Sequence, residues 1–212
     1  MEEKSGIIFD MDGTLWNSAK EVVAAWNEII YKFYPEAKSL TTEDMESVMG
    51  LTMDRLAQKL FPWLEKEKRD ELLDACGEHE NVYLRAHGAT LYPDVENTLR
   101  KLKENYNLYI VSNCQSGYIE AFLDFYKFRQ YFEDIECYGN NQLEKGDNIR
   151  NIVQRNHLTK AVYVGDIQGD YEASCKAGVP FIHAAYGFGT ISDPVKSVQS
   201  FSELIDVVKD VL

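Results

Sequence analysis

The chain has 212 residues, 45 % apolar and 27 % charged, which is the material of one large globular domain or of one domain with a modest insert. Its 22 basic and 35 acidic residues leave a net charge of −13. Such a surface repels the phosphates of nucleic acids and membranes, so neither is expected as a partner. A phosphate can still bind, but only where local positive charge is supplied.

Read in chain order, Gly6 to Met11 (GIIFDM) is a short apolar run ending in acids, the pattern of a buried strand. Ser18 opens a helix with Glu21 three residues later, a capping-box spacing, and Val22, Trp26, Ile29 and Phe33 fall on one face. Pro35 closes it. Short helices are expected over Thr41 to Val48 and Met53 to Leu60, separated by Gly50, and one or two more over Glu65 to Arg85. Residues 16–86 thus carry helical signals and no convincing strand.

The pattern changes near Tyr92-Pro93. A helix over Asp94 to Glu104 leads to a strand over Leu108 to Val111. A helix around Ile119 to Tyr126 leads to a strand over Ile135 to Tyr138. A helix around Ile149 to Val153 precedes a strand over Ala161 to Val164; Asp170 to Lys176 is helical and Pro180 to His183 a strand. Phe201, Leu204, Ile205, Val208 and Val211 mark a last helix. Strands alternating with helices predict an α/β fold, a Rossmann-like parallel sheet covered on both faces, with an all-α segment inserted after the first strand. The expected division is 1–15 and 87–212 for the α/β core and 16–86 for the helical cap.

Cys76, Cys114, Cys137 and Cys175 form no C-x-x-C pair and read as buried thiols in a reducing compartment. The four histidines have no metal-ligand spacing. The acidic N-terminus is not a signal peptide, and no apolar stretch approaches the roughly 18 residues of a membrane span. A soluble, cytoplasmic protein is expected, monomeric by default.

Four segments lie where strands give way to loops. Asp10-Met11-Asp12-Gly13-Thr14-Leu15 brings two carboxylates at i and i+2, with a glycine for the sharp turn. Ser112-Asn113 offers a hydroxyl and an amide to an oxyanion. Lys145 is a compact positive charge suited to phosphate. Gly165-Asp166-Ile167-Gln168-Gly169-Asp170 adds two more carboxylates. Acids gathered at one sheet edge repel each other, and a hard divalent cation such as Mg²⁺ removes that penalty.

Taken in this order, DMDGTL, SN, a lone lysine and GDIQGD resemble the haloacid dehalogenase superfamily with a type-1 helical cap, over Asp10 to about Gly189. The resemblance implies a Mg²⁺-dependent phosphomonoesterase of the phosphoglycolate-phosphatase-like group. Asp10 would attack phosphorus to form an aspartyl-phosphate, and Asp12 would serve as general acid and then base. Ser112, Asn113 and Lys145 would hold the phosphoryl group. Mg²⁺ would be held by the Asp10 carboxylate, the Asp12 carbonyl and Asp166, with Asp170 acting one layer out or through water. The substrate would be a small phosphorylated metabolite, and the sequence does not name it.

Rival branches leave traces that can be checked. Dehalogenases and P-type ATPases typically lack an acid at the position of Asp12. β-Phosphoglucomutase-like transferases keep it, but typically carry a histidine where Val22 stands and Glu-Asp where Gly165-Asp166 stands. A phosphonatase would need an activated cap lysine, and none of Lys20, Lys32 and Lys59 is marked as one. A non-catalytic phosphometabolite-binding module is the rival from another class. Gly50-Leu51-Thr52 lies where such caps often carry a substrate-selecting loop, and Tyr186-Gly187-Phe188-Gly189 resembles a loop common in the phosphoglycolate-phosphatase-like group. Trp16, Trp26, Trp63 and the many tyrosines are candidates for lining a substrate pocket, with helical spacing favouring a core position for Trp26.

Overall fold

The computed structural model describes residues 4–212. Strand β1 (Ser5–Phe9) is buried from Gly6 onward, because both sheet faces are covered. A two-residue strand β2 (Trp16–Asn17) leads into four helices: α1 (Ala19–Phe33), α2 (Thr42–Glu46), α3 (Met53–Leu60) and α4 (Lys66–His87). Strand β3 (Thr90–Leu91) pairs antiparallel with β2, Trp16 opposite Leu91. The two crossings between sheet and helices are therefore tied to each other. Helix α5 (Val95–Lys103), β4 (Asn107–Ser112), α6 (Tyr118–Tyr126), β5 (Phe132–Cys137) and the short α7 (Tyr138–Asn141) follow. Then come α8 (Lys145–Arg155), β6 (Lys160–Gly165), α9 (Gln168–Ala177), β7 (Phe181–Ala184), β8 (Lys196–Val198) and α10 (Leu204–Val207).

The main sheet has the order β5-β4-β1-β6-β7-β8, parallel throughout. Strand β1 lies in the middle, with Phe9 opposite Ile110 of β4 and opposite Val164 of β6. The chain builds outward on one side and then crosses to the other. The switch of direction at β1 opens a crevice at the carboxyl ends of β1, β4 and β6. Alternation sorts each strand between two cores. Ile8, Tyr109, Val111 and Tyr163 pack under α8 with Ile149 and Ile152. Ile7, Phe9, Ile110 and Val164 belong to a larger core that runs on into Trp26 and Leu72 of the helical segment. No helix among the described residues is long and apolar enough to cross a membrane.

Several local expectations are corrected. Ser18 does not close a capping box with Glu21: it makes no side-chain cap, because its hydroxyl is turned into the crevice. The capping box forms instead at Thr41 and Asp44, each side chain accepting the other's backbone N–H (3.1 and 2.9 Å). Phe33 is 42 % exposed, since the last turn of α1 runs past the core. Of the one or two helices expected over Glu65 to Arg85, one forms, over residues 66–87. Strand β5 begins at Phe132, and Tyr138 is already helical. The expected last helix is broken into a short α-helix flanked by two 3₁₀ turns, Phe201–Glu203 and Val208–Asp210. Strand β8 and the β2–β3 ribbon carried no apolar alternation to announce them. Cys175 is exposed on α9, whereas the other three thiols are buried.

Candidate active site

Asp10 follows β1 directly and is 2 % exposed. Its backbone N–H donates to the Val164 carbonyl at 2.9 Å, which continues the β1–β6 ladder one residue and fixes where the carboxylate starts. The buried Lys145 ammonium, in the first turn of α8, donates to Asp10 Oδ1 at 3.0 Å and to Asp170 Oδ1 at 2.6 Å. Burial works against that charge, but the Asp10 and Asp170 carboxylates outweigh it and hold Lys145 firmly protonated. Asp170 Oδ2 accepts the backbone N–H groups of Asp166 (3.0 Å) and Ile167 (3.2 Å). Both Asp170 oxygens are thus engaged, and the residue ties Lys145 to the loop that carries Asp166.

Asp10, Asp166 and Asp170 each place a carboxylate oxygen within 4.8 Å of the others. Burial, then the charge of Asp170, pushes Asp10 up to about 7 in spite of Lys145. Burial and the Asp170 and Asp10 charges push Asp166 up to about 9. Asp166 Oδ2 accepts the Phe188 N–H at 2.7 Å, while Asp166 Oδ1 is buried with no hydrogen-bond partner. A buried acceptor without a donor is costly. Clustered hard oxygen donors, with the orphaned oxygen on Asp166, are a set that fits Mg²⁺.

The loop after β7 shapes this corner. Tyr186 donates to the Thr14 carbonyl at 2.9 Å. A Cβ on Gly187 would lie 2.3 Å from the Gly13 carbonyl oxygen and 2.4 Å from Asp166 Cβ, so only glycine lets the two loops close up. Gly13 itself has φ +83°, and a Cβ there would meet the Asp166 carboxylate at 2.0 Å.

The Asp12 carboxylate stands apart from the Asp10–Asp166–Asp170 group. Its Oδ1 accepts the hydroxyls of Ser18 (2.6 Å) and Tyr118 (2.7 Å). Burial raises its affinity for a proton, while those two donors oppose the shift. Sequence reasoning assigned Ser18 to a helix cap and offered Tyr118 only among the tyrosines as a whole, as candidate pocket lining. Each lies near a motif, but nothing in the spacing says that β2 and α6 bring them to one carboxylate. Trp16 edges Tyr118 and Phe122 with ring centroids 5.6 and 5.0 Å away, and so holds Tyr118 in place from the core side.

Ser112, at the end of β4, and Asn113 line the same chamber as Asp10 and Asp12. The Asn113 side-chain amide is directed to the helical segment, donating to the Gly50 carbonyl at 2.8 Å. The chamber is closed above by Val22, Trp26, Met49, Leu51 and Glu80. Trp26 is thus both core and wall. Trp16 is wholly buried outside the chamber, and Trp63 is 54 % exposed on the far tip of the helical segment.

The model of the haloacid dehalogenase-like hydrolase family matches residues 7–184. The chain is 26 % identical over 217 residues to a phosphoglycolate phosphatase of Aquifex aeolicus, covering 96 % of this chain and 94 % of the relative. It is 28 % identical over 220 residues to the phosphoglycolate phosphatase of Vibrio parahaemolyticus, covering 95 % of each. The fold superimposes on a haloacid dehalogenase-like family hydrolase from Streptococcus pneumoniae with a TM-score of 0.80 at 21 % identity, covering 98 % of this chain and all of the other. With the acidic loops assembled at the switch point of the sheet and the family model spanning most of its length, the chain belongs to the haloacid dehalogenase-like hydrolases.

Proposed function

We propose that this hydrolase is a Mg²⁺-dependent phosphomonoesterase of the phosphoglycolate-phosphatase-like group that works through an aspartyl-phosphate on Asp10. The observation that carries the reading is the placement of Asp10 at the end of β1, bonded to Lys145 and grouped with Asp166 around an unsatisfied buried oxygen. Asp10, the Asp12 backbone carbonyl and Asp166 would hold Mg²⁺, which when bound supplies charge neutralisation for the carboxylates and the phosphoryl oxygens. Asp170, with both oxygens committed, holds Lys145 and the Asp166 loop instead of the cation.

In the first step an Asp10 oxygen attacks phosphorus while the bond from phosphorus to the ester oxygen breaks. The leaving alkoxide takes a proton from Asp12. Burial favours the protonated form that this step requires. Ser112, the Asn113 backbone and Lys145 bear the charge on the equatorial oxygens. In the second step Asp12, now ionised, takes a proton from the water that attacks the acyl phosphate, releasing phosphate and restoring Asp10. Residues 16–86 act as the cap, which lies over the chamber and keeps bulk water from the first step. A Cβ at Gly165 would come within 2.6 Å of Asp170, so the glutamate typical of the mutase branch has no room there.

The test is phosphate release from a panel of small esters, with Mg²⁺ and with chelator, by the wild type and by Asp10→Asn. Metal-dependent release abolished in folded Asp10→Asn is the expected result. Release that survives the substitution removes the mechanism.

A further inference from the structure

The chamber that holds Asp10, Asp12, Ser112 and Asn113 is also lined by Glu80, from the middle of α4, only 3 % exposed. The Trp26 indole N–H donates to Glu80 Oε2 at 2.5 Å, and the Gln115 side chain is a second neutral hydrogen-bonding neighbour. The rest of the lining is mostly apolar, with Val22, Met45, Met49, Leu51 and Leu56, and its polar members Gln115 and Tyr118 are neutral.

The charge inventory is one-sided. Among the described residues lining the chamber there is no Lys, Arg or His. Lys145, the cation of the site, is spent on Asp10 and Asp170. Glu80 has no cationic partner, and burial pushes it up to about 8. An isolated buried carboxyl is expensive to keep, and an opposite charge or a strong donor removes much of that expense. An indole N–H can only donate, so it presents Glu80 as an acceptor. The chamber is also small, about 40 Å³. With the cap in this position it admits a leaving group of only a few heavy atoms.

Resting on the phosphatase reading above, we infer that Glu80 selects the leaving group. The substrate is a short phosphate monoester whose alcohol part presents an ammonium or hydroxyl donor to Glu80 and carries no carboxylate, in the class of amino-alcohol and polyol phosphates. A carboxylate such as that of 2-phosphoglycolate would set a second acid beside Glu80 in a chamber whose lining offers no counter-charge. The relatives named for that substrate are therefore a guide to the chemistry at phosphorus and not to the surroundings of Glu80.

The experiment measures kcat/KM with Mg²⁺ for O-phosphoethanolamine, glycerol 3-phosphate and 2-phosphoglycolate, for the wild type and for Glu80→Gln. In the wild type at least one of the first two should exceed 2-phosphoglycolate by roughly tenfold or more, the value of one charge-assisted hydrogen bond. Their comparison tells ammonium from hydroxyl recognition. Glu80→Gln keeps the shape and the acceptor toward Trp26 but removes the ionisable acid. It should lower the favoured ester, mainly through KM, and raise 2-phosphoglycolate. Preference of the wild type for 2-phosphoglycolate overturns the inference and leaves the phosphatase reading standing, whether or not the variant folds. An equal loss on all three esters in a folded variant also overturns it. Silence on every ester, with metal, overturns the phosphatase reading and this inference with it.

Discussion

The Asp12 carboxylate illustrates how much of the site is decided by single hydroxyls. Ser18 and Tyr118 both donate to the same oxygen, Oδ1, and also touch each other at 2.8 Å. This clamp holds the carboxylate in one orientation. Removing one donor leaves the second in place; removing both frees the carboxylate to turn. Tyr118→Phe should therefore lower kcat modestly, and the Ser18→Ala/Tyr118→Phe double variant by roughly 10²-fold, with KM little changed, because general acid catalysis depends on position. Steady-state kinetics on both variants checks this. A double variant with unchanged kcat would show that the clamp serves folding alone. The sequence located Asp12 by its motif but not these donors, since Tyr118 lies 106 residues away and only the packing of α6 against Trp16 brings it in.

At the scale of elements, the helical segment is held to the sheet by the packing of α4 against α6 and, at the carboxyl edge, by its α2–α3 turn. The Asn113 amide donates to the Gly50 carbonyl, joining the end of β4 to the α2–α3 turn. Gly50 has φ +82°, and a Cβ there would lie 2.3 Å from Ile167 Cδ1. The left-handed backbone and the close approach both call for glycine, and the sequence signal of a break at that point is thereby explained. Gly50→Ala strains the turn and pushes the cap off Ile167. The expected outcome is a roughly tenfold drop in kcat/KM with the global unfolding transition nearly unmoved. Kinetics paired with thermal unfolding separates the two effects. Long periodic elements such as α4 and the buried strands were legible because their apolar pattern is their cause. Strand β8 and the β2–β3 ribbon were not, because residues such as Lys196 and Asn17 join by backbone pairing with no apolar period.

Across the whole molecule, the site stores unfavourable charge. Asp10, Asp166 and Glu80 hold protons up to about 7, 9 and 8, all chiefly through burial, whereas the usual carboxyl values are 3.8 and 4.5. Between those limits the folded chain binds more protons than the unfolded one. The stability of the metal-free protein should therefore fall as pH rises from about 5 toward 9. Saturating Mg²⁺ should restore stability at the upper end, by about 5–10 °C in Tm at a hundredfold excess over Kd, and Asp166→Asn should abolish most of that gain. Thermal unfolding against pH, with Mg²⁺ and with chelator, reads both effects. A metal-free stability that rises over this range would remove the account of a charge-frustrated site.

The sequence by itself determined the α/β alternation, the helical insertion after the first strand and the four acidic and polar segments at strand ends. These are local properties: apolar period, turn residues and motif spacing act within a few residues of themselves. Only the tertiary structure decided that Asp170 spends both oxygens on Lys145 and the Asp166 loop, that Ser18 serves Asp12 and not a helix end, and that Glu80 closes the chamber without a cation. Glu80 sits in the charged stretch Glu65 to Arg85, whose periodicity signals a helix and nothing about this side chain. Its burial follows from the docking of α4 against α1 and α6, which sets Trp26 beside it and places it over the crevice. Which side chain meets which across more than fifty residues is fixed by packing, and that information is held by the assembled cores and not by any one segment.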